Sequence, residues 1–288
     1  MKTIKDLFYF STRNDSLGLC LSGGAALGIA HIGVLQALED QGIYPTHIAG
    51  SSMGAIIGTL YAAGYSPAEM IKLIKEDKLY KITKIMTIRP TFFKSGLSSH
   101  QLLRSLIKEL IPHNSFEGLK KKMHICVSNL NTAEWQIVDT GNELDKWVAA
   151  SASVPGIFET IKDGKIYYVD GGLMNNMPAQ AIKDCQNIIG VDVILHKVPA
   201  ELNKPFESLA FTLRAMAHQN SKEGRKLCRF LIEPKAIEKY NEFSFDSYEA
   251  IYQYGFKAAT KYIAQNPDLL KLATTPERLT KELDVKVS

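Results

Sequence analysis

Short apolar runs alternate with amphipathic stretches along this chain, the spacing of strands buried on both faces and the helices that cover them. Leu17-Gly18-Leu19-Cys20-Leu21 is almost continuously apolar and predicts a buried parallel strand. A glycine-rich turn follows, then a helix with Ile32, Leu35 and Leu38 on one side and Gly42 as its stop. Residues 44–49 read as a second strand and residues 55–63 as a helix that Gly64 ends. Further helices are expected over residues 67–76 and over residues 99–111, where Leu102, Leu103, Leu106, Ile107 and Leu110 recur at helical spacing before Pro112. Strands at 123–129 and 134–139 precede a helix near 144–151. Asp163-Gly164 between residues 159–162 and 165–169 is a hairpin signal. A helix through 179–182, a strand at 188–195, a long helix at 206–225 and a strand at 229–233 come next. Asp246 with Glu249 reads as a capping box for a last helix striped by Ile251, Gly255, Ala259, Tyr262 and Ile263. The pattern predicts an α/β fold of three layers, a mainly parallel central sheet with helices on both faces.

Composition narrows this picture. With 288 residues, 45% of them hydrophobic, the chain can bury a full core. No proline- or serine-rich linker divides it, so one large domain is expected. No apolar stretch approaches about 18 residues, which argues against a spanning helix. The first residues lack the apolar run of a signal peptide. The four cysteines are widely spaced without a Cys-x-x-Cys pair, so neither a zinc site nor any other cofactor is expected. These features predict a cytoplasmic protein, although a chain exported without a classical signal shows the same ones.

The net charge of +4 and pI near 8.7 are mild. Lys72, Lys75, Lys78, Lys81, Lys84 and Arg89 precede Pro90-Thr91-Phe92-Phe93-Lys94. This basic, aromatic-tipped segment suits peripheral contact with an anionic membrane surface. It equally suits a solvated helix face followed by a packed loop. No nucleic-acid motif accompanies the charge, so no nucleic-acid partner is expected.

The candidate chemistry lies in three segments. Gly50-Ser51-Ser52-Met53-Gly54 joins an apolar strand to an apolar helix, the setting in which a Gly-x-Ser-x-Gly elbow presents a serine hydroxyl as a nucleophile. It also matches a glycine-serine turn that caps a helix. Ser22-Gly23-Gly24-Ala25-Ala26-Leu27-Gly28 bunches backbone N–H groups into a nest for a phosphate or an oxyanion. The loop lacks Gly-Lys-Ser/Thr and the Gly-x-Gly-x-x-Gly spacing, so acyl transfer suits it better than nucleotide binding. Asp170-Gly171-Gly172 ends the second strand of the hairpin, where an acidic residue serves either catalysis or helix entry.

Together these segments resemble the patatin-like phospholipase family, in the order Leu21 to Leu35, Gly50 to Gly54 and Asp170-Gly171-Gly172. Residues 150–158, Asn176, Pro178 and the helix opened by residues 243–246 are also similar, so the resemblance spans roughly residues 15–265 and implies one domain there, with an N-terminal extension at 1–14 and a C-terminal tail at 266–288. It implies a lipid ester substrate and a Ser–Asp dyad without a histidine relay. Ser52 is then the nucleophile and Asp170 the base. The amides of Gly23, Gly24 and Ala25 are the oxyanion hole, and Gly28, Gly50, Gly54, Gly171 and Gly172 support the motifs. Two departures stand out. Ala25 replaces the third glycine of the family loop, and Leu27 replaces its arginine, which bears on rate and substrate preference. The alternatives are a silent lipid-binding module on this fold and a hydrolase with a Ser–Asp–His triad. The triad needs a late histidine, and only His196 and His218 qualify. His31 reads as structural. A malonyl-transferase-like site is disfavoured because Ser51 stands where that class places histidine.

Overall fold

The computed structural model describes residues 16–76, 99–195 and 202–273. The N-terminal extension, the basic segment from Lys78 to Lys94 and His196 lie outside the described residues.

Eight described strands form one sheet: β1 (Leu17–Leu21), β2 (His47–Gly50), β3 (Lys122–Asn129), β4 (Glu134–Val138), β5 (Ile161–Asp163), β6 (Ile166–Asp170), β7 (Asn187–Val191) and β8 (Phe230–Ile232). Their order is β5-β6-β3-β2-β1-β7-β8, with β4 also paired to β3. The five strands from β3 to β8 run parallel. β4 and β6 pair antiparallel with β3, and β5 with β6. The sheet is therefore mixed, with an antiparallel hairpin grafted onto a parallel centre.

The described helices are α1 (Ala30–Glu39), α2 (Met53–Ala63), α3 (Pro67–Lys75), α4 (Ser99–Leu110), α5 (Leu144–Ser151), α6 (Pro205–Asn220), α7 (Lys222–Leu227), α8 (Tyr248–Gln265) and α9 (Pro267–Leu270). Strand alternation divides the interior. Leu17, Leu19 and Leu21 of β1 enter the main core with α1, α2 and α8, whereas Cys20 enters a smaller cluster with Ala49, Met177 and Ile182. Helices α1 and α8 cross at glycines. A Cβ on Gly33 would lie 2.1 Å from the Tyr252 carbonyl oxygen, and one on Gly255 2.1 Å from that of Ala30.

Several boundaries differ from expectation. The capping box at the last helix does not form. Asp246 lies in a 3-10 turn, Phe245–Ser247, and α8 begins at Tyr248 with no side-chain cap. A capping box occurs instead at α3, where the Glu69 N–H donates to Ser66 Oγ (3.2 Å) and Glu69 accepts from the Ser66 N–H (2.8 Å). The long helix is interrupted at Ser221, whose hydroxyl donates to the Ala217 carbonyl at 2.9 Å. Residues Ala179–Ile182 form a 3-10 turn, and β7 stops at Val191, where the chain leaves the sheet beside Ser22.

Register brings three distant segments to one level. Leu21 pairs with Gly50, and Gly50 with Ile125. Two residues further on lie Gly23, Ser52 and Val127, and Val127 pairs with Asp170. Because β6 runs antiparallel, its end arrives beside the elbow from outside the parallel centre. Asp170 is the last residue of β6, at the far end of the hairpin's second strand as expected.

Candidate active site

The elbow is a strained turn held by close packing. Ser52 has φ 52° and ψ −124°, a region non-glycine residues avoid at a cost of about 1–3 kcal/mol. The strain sets the hydroxyl above the start of α2. Gly54 is required by contact: its Cβ would meet the Leu21 carbonyl oxygen at 2.4 Å and that of Ser22 at 2.6 Å. Gly28 and Gly50 are similarly close, to Met53 and to the Gly54 carbonyl, so strand, elbow and loop interlock. The Ser52 N–H donates to Ser151 Oγ (2.9 Å), and that hydroxyl donates to the Cys126 carbonyl (2.7 Å).

Asp170 is buried and its backbone is fixed from both sides. Its N–H donates to the Ser153 carbonyl (3.0 Å), and its carbonyl accepts from Ser128 Oγ (2.8 Å). The carboxylate Oδ1 accepts from the Gly172 N–H at 2.7 Å. Burial raises the carboxyl pKa from 3.8 to about 6, opposed by the Ser52 hydroxyl and then by the Gly172 amide. The Ser52 hydroxyl is thus near enough to favour the charged form. Even so, Oδ2 is buried without a well-formed hydrogen bond. Contacts of this kind commonly tighten only when substrate is bound.

The glycine loop faces this pair. A Cβ on Gly23 would lie 3.0 Å from Ser52 Cβ and 2.6 Å from Asn176 Oδ1. The Gly23 N–H already donates to Asn176 Oδ1 (3.0 Å), so this amide has a partner. Among the described residues the amides of Gly24 and Ala25 have none. Ala25 adopts φ 45°, the left-handed geometry that its Cβ tolerates poorly. Gly171 and Gly172 pack against the Cys126 carbonyl and Asn176. Asn176 therefore joins both loops, and its Nδ2 donates to Ser221 Oγ at 3.2 Å.

Ser52, Asp170, Gly23, Gly24, Ala25 and Gly172 line one cavity. It encloses about 740 Å³ of atom-free space, counting the part open to solvent. Val154, Pro155, Ile157, Leu209 and Leu213 make most of its wall apolar. Among the described residues no histidine lines it. His218 Nδ1 meets the Ile194 carbonyl at 3.1 Å. His31 is fully buried, its pKa is lowered to about 4 by burial, and its Nε2–H donates to the Ser22 carbonyl at 2.8 Å. The ring lies off the cavity wall and braces the start of the glycine loop. No described cluster of three metal-ligating side chains exists.

Three supports had no role assigned from sequence: Ser151 under the elbow, Asn176 as a bridge, and the Arg214–Glu242 ion pair on the cavity wall. Ser151 and Asn176 lie in segments that carried the family resemblance, which marked the region without marking the contact.

The sequence profile of the patatin-like phospholipase family matches residues 19–182, more than half of the chain. The chain belongs to the patatin-like phospholipase family. Similar curated proteins include the lysophospholipase NTE1 of Eremothecium gossypii, 26% identical over 91% of this chain and 19% of that protein. That of Saccharomyces cerevisiae is 28% identical over 62% of this chain and 11% of that protein. The patatin-like chain thus spans about a fifth or less of the length of these relatives. Among solved structures, VipD from Legionella pneumophila is similar over 88% of this chain and 67% of its own, with a TM-score of 0.46 and 14% identity. Among the described residues, no helix is long and apolar enough to cross a membrane.

Proposed function

We propose that this chain is a serine acyl hydrolase of lipid esters, of phospholipase A or lysophospholipase type. The observation that carries the reading is the level shared by Gly23, Ser52 and Asp170, opening into an apolar cavity. Ser52 Oγ attacks the ester carbonyl carbon while Asp170 takes its proton. The carbonyl oxygen becomes an oxyanion facing the amides of Gly24 and Ala25, beside that of Gly23. The tetrahedral adduct collapses, the carbon–oxygen bond to the alcohol breaks, and Asp170 returns the proton to that alcohol. Water then gives its proton to Asp170 and attacks the acyl-enzyme, releasing the fatty acid and restoring Ser52.

The electrostatics suit this sequence of transfers. A carboxyl with a pKa near 6 is mostly ionised at neutral pH and is a stronger base than a solvated aspartate. The apolar wall of Val154, Pro155, Ile157, Leu209 and Leu213 accepts an acyl chain. Leu209 and Met216, exposed on α6 at 41% and 42%, support approach to a lipid surface.

The test is labelling by a fluorophosphonate probe, with hydrolysis of a lysophospholipid measured in parallel. Labelling and hydrolysis that are both lost in Ser52→Ala and Asp170→Asn support the dyad. An unlabelled wild-type protein supports the silent lipid-binding module, and hydrolysis retained by Ser52→Ala refutes the assignment of the nucleophile.

A further inference from the structure

The glycine loop carries no charged side chain of its own, because Leu27 stands where the family motif has arginine. Leu27 is fully buried in the main core. The loop is also conformationally demanding, since Ala25 holds φ 45°. Something outside the loop must keep its amides aimed.

Two segments flank it. On one side runs the strap after β7, residues 192–195. The Val193 N–H donates to Ser22 Oγ at 3.0 Å, and a Cβ on Gly24 would lie 2.4 Å from Val193 Cγ2. On the other side is Glu242, whose main-chain oxygen accepts from the Ala26 N–H at 3.1 Å. A single guanidinium spans both. Arg214 Nη2 donates to the Leu195 carbonyl at 3.1 Å, and Nη1 donates to Glu242 Oε1. Arg214 is the one buried residue among those described on α6, and both it and Glu242 line the cavity that holds Ser52 and Asp170.

We infer that Arg214 and Glu242 are a positioning pair for the oxyanion loop, fixing from outside the geometry that the loop's own residues do not secure. This rests on the acyl-hydrolase reading above. A planar fork suits the task, because one rigid group must reach two acceptors on separate segments, which an ammonium on a flexible stem does poorly. Neither side chain touches the reacting atoms in this account. Their effect passes through Leu195 and Glu242 to Ser22 and Ala26, which bracket Gly24 and Ala25.

The experiment measures kcat and KM on a short, water-soluble p-nitrophenyl ester, and the rate of fluorophosphonate labelling, for wild type, Arg214→Met, Arg214→Lys and Glu242→Gln. Rates are normalised to folded protein. Displacing the donors by a fraction of an ångström to one ångström predicts a kcat loss of about tenfold to a hundredfold in Arg214→Met. KM should stay within about twofold, since binding of the ground state is untouched. Labelling should slow in parallel, because phosphonylation also places charge on an oxygen held by the loop. Arg214→Lys should recover part of the loss, and Glu242→Gln should lose less than Arg214→Met because its amide oxygen still accepts.

Unchanged kcat in all three variants overturns the inference. So does a loss confined to KM, which would make the Arg214 guanidinium a substrate contact through Nε, its remaining buried donor. If Arg214→Met does not fold, the other two decide: a kcat loss with steady KM in either supports positioning, and wild-type kcat in both refutes it. A wild-type protein that neither labels nor hydrolyses defeats the acyl-hydrolase reading itself, a result distinct from labelled wild type with indifferent variants.

Discussion

Asp170→Asn keeps the outline of the side chain and removes its charge, so it separates catalysis from stability. In the folded protein burial holds the carboxyl pKa at about 6, against 3.8 as the ordinary value. The folded state therefore keeps its proton to higher pH than the unfolded chain does. Below about pH 3 both states are largely protonated and the residue subtracts almost nothing. As pH rises toward 6 the unfolded chain ionises first, and stability falls. Above pH 6 the loss is complete, and about two pKa units at 1.36 kcal/mol each make it about 3 kcal/mol. The Asn variant does not titrate. It should match wild type near pH 3 and exceed it by about 3 kcal/mol at pH 7, read from urea unfolding. It should also be inactive. Wild-type kcat/KM should rise with pH along a limb with an apparent pKa of about 6. Unfolding curves offset by the same amount at every pH, or a wild-type rate that is flat through pH 6, would refute the account of Asp170 as a buried, proton-accepting base.

Other perturbations test the frame around the pair. Gly54→Ala puts a methyl group within 2.4 Å of the Leu21 carbonyl oxygen, so it should cost more than about 2 kcal/mol in thermal melting or prevent folding. A wild-type melt would contradict the packing. Ser151→Ala removes the acceptor of the Ser52 N–H, which should cost about 1–3 kcal/mol and lower kcat in an ester assay. His31→Phe should lower stability by about 1–3 kcal/mol through loss of the bond to the Ser22 carbonyl, while Ser52 in the folded fraction still labels with a fluorophosphonate. Loss of labelling in folded His31→Phe protein would give that histidine a part in the chemistry.

The parts of the site that were legible in the sequence are those where one residue type answers a local demand. Gly50, Gly54 and the run from Gly23 announce backbone contacts that no side chain fits, and the Asp163-Gly164 turn announces its hairpin. What stayed hidden depends on partners far along the chain. The antiparallel pairing of β6 with β3 brings together Val127 and Asp170, and nothing local in either strand states it. Gly23 was expected among the oxyanion donors, yet its N–H points to Asn176, 153 positions away. The apparent capping box at Asp246 failed for the opposite reason. Its local pattern was right, but the chain enters α8 through a 3-10 turn, with Phe245 buried in the core.

The hairpin that carries Asp170 has a consequence for how such a protein can change. Successive residues of β6 point to opposite sides, so sliding it past β3 by a single step would turn the carboxyl away from the elbow and present Val169 instead. Insertions or deletions that shift the strand by one residue are therefore fatal to a base there, whereas changes at the hairpin tip, around Gly164, leave its phase intact. Diversity in this corner of the molecule should accumulate at the tip.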